Sequence, residues 1–294
     1  VTRFAPSPTG FLHFGNLFTC LVSYKTAKTT DGVFFVRVED TDQKRKVDGA
    51  IEVMLKGLAA YGIEPDEGVV GDNKETGDYG PYYQSQRKDI YQAYAKRLVE
   101  EGMAYPCFCS AEDLDEMRAQ QEGESVKGYW GKWAKCRNLS YEQIKANIAD
   151  GKSWTLRLKS PGDTEKKCYF DDMIKGKIEM PENVEDVVLL KSDGIPTYHF
   201  AHAIDDHLMR TTHVIRGDEW ISSTPIHLQL FRVLGFKPPK FAHVAPIMKE
   251  ENGGKRKLSK RKDPEAAVTY YSEVGFPKES VNEYMLTLAN SNFE

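Results

Sequence analysis

His13 and Gly15 stand two residues apart at the head of an apolar-periodic run. About 240 residues later, Lys255-Arg256-Lys257-Leu258-Ser259-Lys260-Arg261-Lys262 places six cations in eight positions. Both could handle phosphate. A helix N-terminus offers unpaired N–H groups and a partial positive charge, a seat for an anion. Gly15 removes a side chain where a nucleotide must approach the backbone, and Asn16 follows it in the same turn. His13 can donate a hydrogen bond to a phosphoryl oxygen as charge develops there. Gly253-Gly254 ahead of the cations predict a mobile loop, whose lysines would grip a leaving phosphate only as its charge builds. Each element also has a plainer reading, a histidine that caps a turn and a solvated basic run.

These residues need elements to hold them. Val1–Ala5 is a short β-prone strand ended by Pro6-Ser7-Pro8-Thr9-Gly10, and Leu17, Leu21 and Tyr24 recur at helical spacing until Gly32. The run from Val33 to Val38 is β-rich and of the buried, parallel kind. Ile51, Met54, Leu55 and Leu58 mark a second helix closed by Gly62, and Ile90, Tyr94 and Leu98 a third ended by Gly102. Strand–helix–strand–helix order predicts an α/β fold with a parallel doubly wound sheet. The pattern changes near residue 103. A cysteine pair, a polar helix over 110–121, a Gly/Trp loop and short strands such as Trp154–Lys159 predict an inserted α+β unit. Alternation returns at Asp186, with Val187–Leu190, a hairpin turn at Asp193-Gly194 and then Tyr198–Ile204 as the second arm. Ser222-Ser223-Thr224-Pro225 predicts a capped helix start, with Ile226, Leu230 and Val233 on the apolar face, and residues 263–294 read as helical.

A chain of 294 residues with 40% hydrophobic and 29% charged residues can bury a sizeable core. Its net charge of −4 means that any contact with RNA must come from a local basic surface rather than from the overall field. No run approaches 18 consecutive apolar residues, which excludes a helical membrane span, and the first residues lack a secretory pattern. Five cysteines, Cys20, Cys107, Cys109, Cys136 and Cys168, are an odd and sparse set, unlike a secreted disulfide framework. A cytoplasmic protein is the expectation.

Taken together, the two phosphate-handling elements resemble the signatures of class I aminoacyl-tRNA synthetases. His13-Phe14-Gly15-Asn16 is similar to His-Ile-Gly-His, departing at its second and last residues, and Lys257-Leu258-Ser259-Lys260-Arg261 is similar to Lys-Met-Ser-Lys-Ser. Flanking segments narrow the resemblance to the glutamyl branch. These are Arg3–Gly10, the run from Val36 to Asp42, Gly194-Ile195-Pro196-Thr197-Tyr198-His199, and the run from Val214 to Trp220. The match covers nearly the whole chain. It implies a split Rossmann-type sheet with an inserted acceptor-end-binding subdomain. The first half would be 1–102, the insert 103–183, the second half with the Lys-Leu-Ser-Lys-Arg loop 184–262, and a helical stem-contact region would begin at 263–294. The abrupt end reads as the front part of a longer synthetase whose remainder would read the anticodon.

The resemblance further implies glutamate activation by ATP to an acyl-adenylate and transfer to the tRNA 3′ end, with adenylate formation dependent on bound tRNA. Arg3 and Arg216 look like the guanidinium partners of the glutamate carboxylates, which a planar fork suits. Glu39 looks like the anchor of the ammonium group, and Ala5, Ser7 and Tyr198 like pocket walls. His202 stands where relatives often carry asparagine. For ATP, the resemblance implies His13, Gly15, Asn16, Glu219, Leu258, Ser259 and Lys260. Lys257 and Lys260 would flank the triphosphate, and His13, Lys257 and Lys260 carry the catalytic expectation. Magnesium would arrive with ATP. Each of these residues also has a structural reading, with Glu39 pairing a nearby base and Arg216 tying down a loop.

Cys107-Phe108-Cys109 and Cys136 resemble the zinc-binding Cys-x-Cys…Cys-x-His element of some relatives. Asn138 occupies the histidine position, and a structural zinc takes four ligands. Tyr129 or another neighbour is one way to complete the shell, as a tyrosine does in a related tRNA-modifying paralogue. Three thiols without a metal is the other reading, and the missing histidine weighs toward it. Tyr129, Trp130 and Trp133 beside Lys127, Lys132, Lys135 and Arg137 form an aromatic–basic patch suited to stacking an unpaired tRNA end, or the core of a small subdomain. Competing functions are the paralogue that glutamylates a modified tRNA base, a glutaminyl enzyme, and a non-catalytic tRNA-binding module. The intact Lys257–Lys262 run, Arg216 and the preserved signatures weigh against each in turn. A monomer is expected, with tRNA, glutamate and ATP as partners and no membrane.

Overall fold

Strand β1 (Thr2–Phe4) is buried along its whole length, and the next element along the chain is α1 (Phe14–Thr29). The computed structural model that shows this describes residues 1–289, apart from Phe11, Lys46, Asp72, Val126, Asn252, Lys260 and Arg261 and the side chain of Gln43. Helix α1 forms because Phe14, Leu17, Phe18 and Leu21 fall on one face, and all four are buried against the sheet. Burying a side chain of this size contributes about 1.5–3 kcal/mol. The chain continues through β2 (Phe34–Val36), α2 (Ala50–Ala60), β3 (Glu67–Gly71), β4 (Lys74–Thr76) and α3 (Lys88–Glu100). Strands β1, β2 and β3 pair in parallel and β4 closes the edge antiparallel. Gly68 sits at φ +94°, and a Cβ there would meet the Val36 carbonyl oxygen at 2.1 Å, so only glycine lets β3 pair at this point.

The segment after Gly102 contributes β5 (Ala104–Cys107), α4 (Ala111–Gln120), α5 (Tyr141–Ala149), β6 (Thr155–Leu158), β7 (Lys167–Asp172), β8 (Gly176–Pro181) and β9 (Val188–Leu190). Both helices start on a capping box, Ser110 with Asp113 and Ser140 with Gln143. Strands β5, β6 and β9 form an antiparallel sheet, while the β7–β8 hairpin reaches the main sheet through a single bridge, Asp172 to Phe241.

Then follow α6 (Tyr198–Leu208), β10 (His213–Gly217), α7 (Thr224–Val233) and β11 (Lys240–Val244). The chain finishes with β12 (Met248–Glu251), β13 (Gly254–Lys257), α8 (Tyr270–Glu273) and α9 (Lys278–Ala289). Strands β10 and β11 are parallel, and β10 runs beside β1, where the Val1 carbonyl accepts from the N–H groups of Thr212 and His213 at 3.0 and 3.2 Å. Two four-stranded sheets, β1-β2-β3-β4 and β10-β11-β7-β8, therefore meet at β1 and β10, an α/β fold with parallel strands as the alternating sequence pattern predicts. The carboxyl ends of β1 and β10, neighbours in space but far apart in sequence, bound a crevice of the kind that binds ligands in such sheets.

Three expectations need correction. Tyr198–Ile204 is helical, not the arm of a hairpin. The turn at Asp193-Gly194 forms, but pairing stops after the bridge of Leu190 to Pro196, and Thr197 starts α6. An apolar, aromatic run buried on nearly every side carries no period that separates strand from helix. At α7 the Ser223 hydroxyl makes no cap bond, because a 3₁₀ turn over Asp218–Ser223 feeds the helix directly. Gly253-Gly254 turn a β-hairpin, with β12 and β13 paired from Met248–Lys257 to Glu251–Gly254, where a mobile loop is the expectation.

Candidate active site

A cleft of about 590 Å³ opens at the carboxyl ends of β1 and β10. Its wall contains Arg3, Ala5, Ser7, His13, Gly15, Asn16, Glu39, Tyr198, Arg216, Glu219, Lys257 and Leu258. Residues from both ends of the chain thus meet at one cavity. His202 and Ser259 do not reach this wall, and Lys260 lies outside the described residues.

On one side, His13 is the N-cap of α1. Its Nδ1 accepts from the backbone N–H groups of Gly15 at 2.9 Å and Asn16 at 3.3 Å. A nitrogen that accepts cannot carry the proton, so the neutral ring bears its N–H at Nε2. The capping role and the donor role are therefore compatible, since one nitrogen serves the helix and the other is left protonated. Gly15 has a more local reason than close approach of a nucleotide. A Cβ at that position would meet His13 Cε1 at 2.8 Å and push the ring off its cap. A backbone bridge from His13 to Ala267 ties this helix start to the segment that follows the cationic run.

The cationic hairpin faces the same space. Lys257, 58% exposed, lies 3.9 Å from Glu219 Oε2, while Leu258 packs against the main core and donates its N–H to Ile247 O. The run is not uniformly available. Arg256 donates to both oxygens of Asp263 at 2.6 and 2.7 Å and to Glu251 at 2.7 and 3.2 Å. Lys249 pairs with Asp263 and Glu265, and the Ser259 N–H donates to Asp263 Oδ2 at 2.8 Å. Hydrogen bonds from Arg256 hold the Asp263 carboxyl well below the usual carboxylate range, although burial opposes this. Asp263 therefore moors the base of the hairpin and leaves Lys257 at the cleft.

The opposite side is buried and charged. Arg3 donates Nε to Asp206 Oδ1 at 3.3 Å, and Arg37, fully buried, donates to Asp206 Oδ1 at 2.7 Å and to Glu39 Oε1 at 3.0 Å. Asp205 beside it takes hydrogen bonds from Gln84, Arg87 and Tyr91 at 2.9, 2.8 and 2.7 Å. Burial raises the Asp206 carboxyl, but Arg3 and Arg37 outweigh it and leave the group below its ordinary value. Burial also raises Glu39, and there Arg37 and Arg3 reduce the rise without cancelling it. Tyr198, whose phenol burial pushes up to about 12, packs on Trp220 with ring centres 4.7 Å apart. His202 is stacked behind Tyr198 and fully buried, with Nδ1 3.1 Å from Asp206, and so stands behind the wall. Burial and the nearby Arg3, Arg216 and Arg37 hold it well below its ordinary value, and it is neutral.

Arg216 is 5% exposed. It donates Nε to His243 at 3.0 Å, Nη1 to His227 at 3.0 Å, and Nη2 to Thr224 Oγ1 at 3.0 Å and Trp220 O at 3.3 Å. Among the described residues no carboxylate lies within ion-pair range of it. A buried guanidinium held only by neutral acceptors at a cavity wall suits an incoming carboxylate. Sequence reasoning missed the residues behind this wall, namely Arg37, Asp205, Asp206, Asp172, His227 and His243. Arg37 sits two residues before Glu39 in a strand that was singled out for its apolar pattern. An arginine inside such a run was the available signal.

In the segment after Gly102, Cys107, Cys109 and Cys136 bring their sulfurs within 4.8 Å of one another. The Tyr129 hydroxyl lies 3.3 Å from Cys107 Sγ and from Cys109 Sγ, and Cys109 and Cys136 sulfurs are 3.7 Å apart. Sulfurs on one tetrahedral zinc at about 2.3 Å stand roughly 3.8 Å from each other, so the four donors fit such an ion. Hydrogen bonds with Cys109 and Cys136 lower the Cys107 thiol far below its usual range. The Tyr129 ring also lies under Arg157 at 4.0 Å, and is core and not surface, whereas Trp133 is partly buried with Lys132 over its ring at 4.8 Å.

Residues 1–292 match the model of a protein family described as tRNA synthetases class I (E and Q), catalytic domain. The chain is 55% identical over its full length to a glutamate–tRNA ligase of Clostridium perfringens strain 13, covering 54% of that relative. It is 54% identical, again over its full length, to one of Acetivibrio thermocellus, also covering 54%. It thus spans about half the length of the curated relatives it matches. Among solved structures, a glutamate tRNA ligase of Elizabethkingia meningosepticum in complex with its amino acid superposes with a TM-score of 0.79 at 40% identity, covering 94% of this chain and 53% of that one. No helix of the described residues is long and apolar enough to cross a membrane. The signatures at the two ends of the cleft and the match over 292 residues agree, and the chain belongs to the class I tRNA synthetases of the E and Q type, carrying their catalytic domain.

Proposed function

We propose that the protein is a glutamate–tRNA ligase and that this chain activates glutamate with ATP and charges the tRNA 3′ end. The observation that carries the reading is a single cleft with two unlike walls. One bears the His13 helix cap and Lys257, the other bears Arg3, Glu39 and the carboxylate-free Arg216. The relatives named glutamate–tRNA ligase support the same reading.

In this reading Arg3 and Arg216 receive the glutamate carboxylates, Glu39 its ammonium group, and Ala5, Ser7 and Tyr198 shape the pocket. Arg216 favours glutamate over glutamine because its charge would have no partner in an amide side chain. ATP lies along the start of α1, with Gly15 and Asn16 beneath the phosphates, Glu219 at the ribose and Leu258 near the base. The α-carboxylate attacks the α-phosphorus in line and pyrophosphate leaves, its charge met by His13 Nε2–H and by Lys257 and Lys260. The adenosine hydroxyl at the tRNA end then takes the acyl group and releases AMP. No protein nucleophile is required, and positioning with charge stabilisation carries the chemistry. Glu39 and Glu219 are the only carboxylates on the described wall, so magnesium comes with the nucleotide and not from a dedicated cage.

We keep 103–183 as the insert that receives the tRNA acceptor end, between catalytic halves 1–102 and 184–262, with 263–294 beginning the stem-contact region. Cys107, Cys109, Cys136 and Tyr129 would hold a structural zinc, which on binding would staple β5 to the loop that follows α4. The protein acts as a cytoplasmic monomer in this reading. Charging of total tRNA by the full-length protein with radiolabelled glutamate, but not glutamine, is the expected result. Glutamine charging would make it a glutaminyl enzyme, label on a tRNA base would make it a modifying enzyme, and no charging with intact binding would leave a tRNA-binding module.

A further inference from the structure

Arg216 has no carboxylate beside it, yet one lies a single ring away. Its Nε donates to His243 Nε2 at 3.0 Å, and because an arginine N–H can only donate, that nitrogen must be the one without a proton. The imidazole proton therefore sits on Nδ1, 2.6 Å from Asp172 Oδ2. All three side chains are buried.

Asp172 has little freedom to turn. Its Oδ1 accepts the backbone N–H groups of Ile174 at 3.0 Å and Lys175 at 2.9 Å, and Oδ2 accepts the backbone N–H of His243 itself at 3.1 Å. Asp172 is also the one residue through which β7 pairs with β11. Had Asp172 met Arg216 directly, the pair would neutralise the guanidinium before a ligand arrived. Relayed through a neutral ring, the carboxylate fixes the orientation of Arg216 and leaves its charge to the cleft.

We propose that Asp172 and His243 are positioning residues for Arg216, together setting the carboxylate specificity of the amino-acid pocket. The proposal rests on the reading of Arg216 as a carboxylate partner. A fully buried carboxylate–imidazole–guanidinium chain is a costly way to fill a core, where apolar residues of the same volume serve as well. His243 lies among Phe170 and Phe241. A purely structural role predicts that His243→Phe lowers stability and moves the glutamate and ATP KM values together or not at all, whereas the positioning role predicts a rise confined to glutamate.

The test is ATP–pyrophosphate exchange by the full-length protein with its tRNA, reading KM for glutamate and for ATP separately. Arg216→Gln is expected to raise the glutamate KM about a hundredfold or more, as loss of a buried charge-assisted contact does. His243→Phe is expected to raise it about tenfold or more with the ATP KM within about twofold, while His243→Gln, which keeps an acceptor for Arg216, stays within about threefold of the parent. In the Arg216→Gln background His243→Phe should add nothing further. An unchanged glutamate KM in Arg216→Gln overturns the pocket reading itself. A large effect there with none in His243→Phe overturns the relay and leaves the pocket reading intact. Equal rises in both KM values would show a general packing defect and also overturn it. Should His243→Phe fail to fold, Asp172→Asn is read by the same criteria, with the glutamate-selective rise supporting the relay and its absence overturning it.

Discussion

The two walls of the cleft are built on opposite principles. On the amino-acid side Arg3, Arg37, Arg216, Glu39, Asp205 and Asp206 are all buried to 8% exposure or less, and each is held by short contacts. On the phosphate side Lys255, Lys257 and Lys262 are exposed, Lys257 to 58%, and the pairs that moor the hairpin through Arg256 and Asp263 lie at its base. Selecting a zwitterion with three charged groups calls for donors that cannot shift, because a misplaced buried charge is expensive. Handling a triphosphate whose charge moves during the reaction calls for cations that can follow it, which favours the transition state over the ground state. Buried, fixed charges on one wall and an exposed lysine on the other suit the two tasks proposed for this cavity.

The largest expected effect tests the rigid side. Asp206→Ala leaves Arg3 and Arg37 without their shared acceptor and is expected to cost about 3–5 kcal/mol of stability, the range for breaking one partner out of a buried ion network. Chemical denaturation measures it, and a loss no greater than that of a surface pair would erase the contrast between the walls. Next comes Arg216→Lys, which keeps the charge but loses the planar contacts to His243, His227 and Thr224. A rise of about thirtyfold in glutamate KM with ATP KM nearly unchanged is expected in exchange kinetics. On the exposed side, Lys257→Ala should slow adenylate formation about tenfold while glutamate KM stays within about twofold, and Lys260→Ala should split in the same direction. Equal losses in rate and glutamate affinity would show that the hairpin binds instead of clamping.

The last test concerns pH. Burial and neighbouring guanidinium groups hold His199, His202 and His227 below their ordinary value near 6.5. The unfolded chain takes up these protons first as the medium is acidified. Stability is therefore full above pH about 6.5 and falls below it, by up to about 1.4 kcal/mol per pH unit for each histidine involved. Thermal melts between pH 7.5 and 5.5 should show the decline, and His202→Asn should flatten it. A flat profile in the parent would mean that these rings are solvated and that the amino-acid wall is looser than its geometry.

Legibility in the sequence followed the same division. His13, Gly15 and the Lys257–Lys262 run were readable because their chemistry is local, with a cap and its helix lying within four residues and a charge run being contiguous. The parallel sheet was readable from alternating strand and helix patterns in β1, α1, β2 and α2. The support behind the amino-acid wall was not. Asp206 serves Arg3 and Arg37 from more than 160 residues away, and Asp172 reaches Arg216 through His243 from a hairpin that reads as part of the insert. Helix α6 was misread because a run buried on most sides carries no period. The same burial puts His202 behind the cleft wall and not on it.

By itself the sequence pointed to the family that the comparisons show. A helix N-terminus and a cationic strap can be recognised from residue types and short spacings, whose geometry the backbone dictates locally, whereas the pairing of Arg3 with Arg216 came only from the resemblance. Tertiary structure alone decided which charges are spent and which are kept. Arg256 is moored and Lys257 is at the cleft, Arg37 is neutralised by carboxylates and Arg216 is not. Burial and the choice of partner depend on contacts between segments far apart in the chain, and those distances are absent from a linear string.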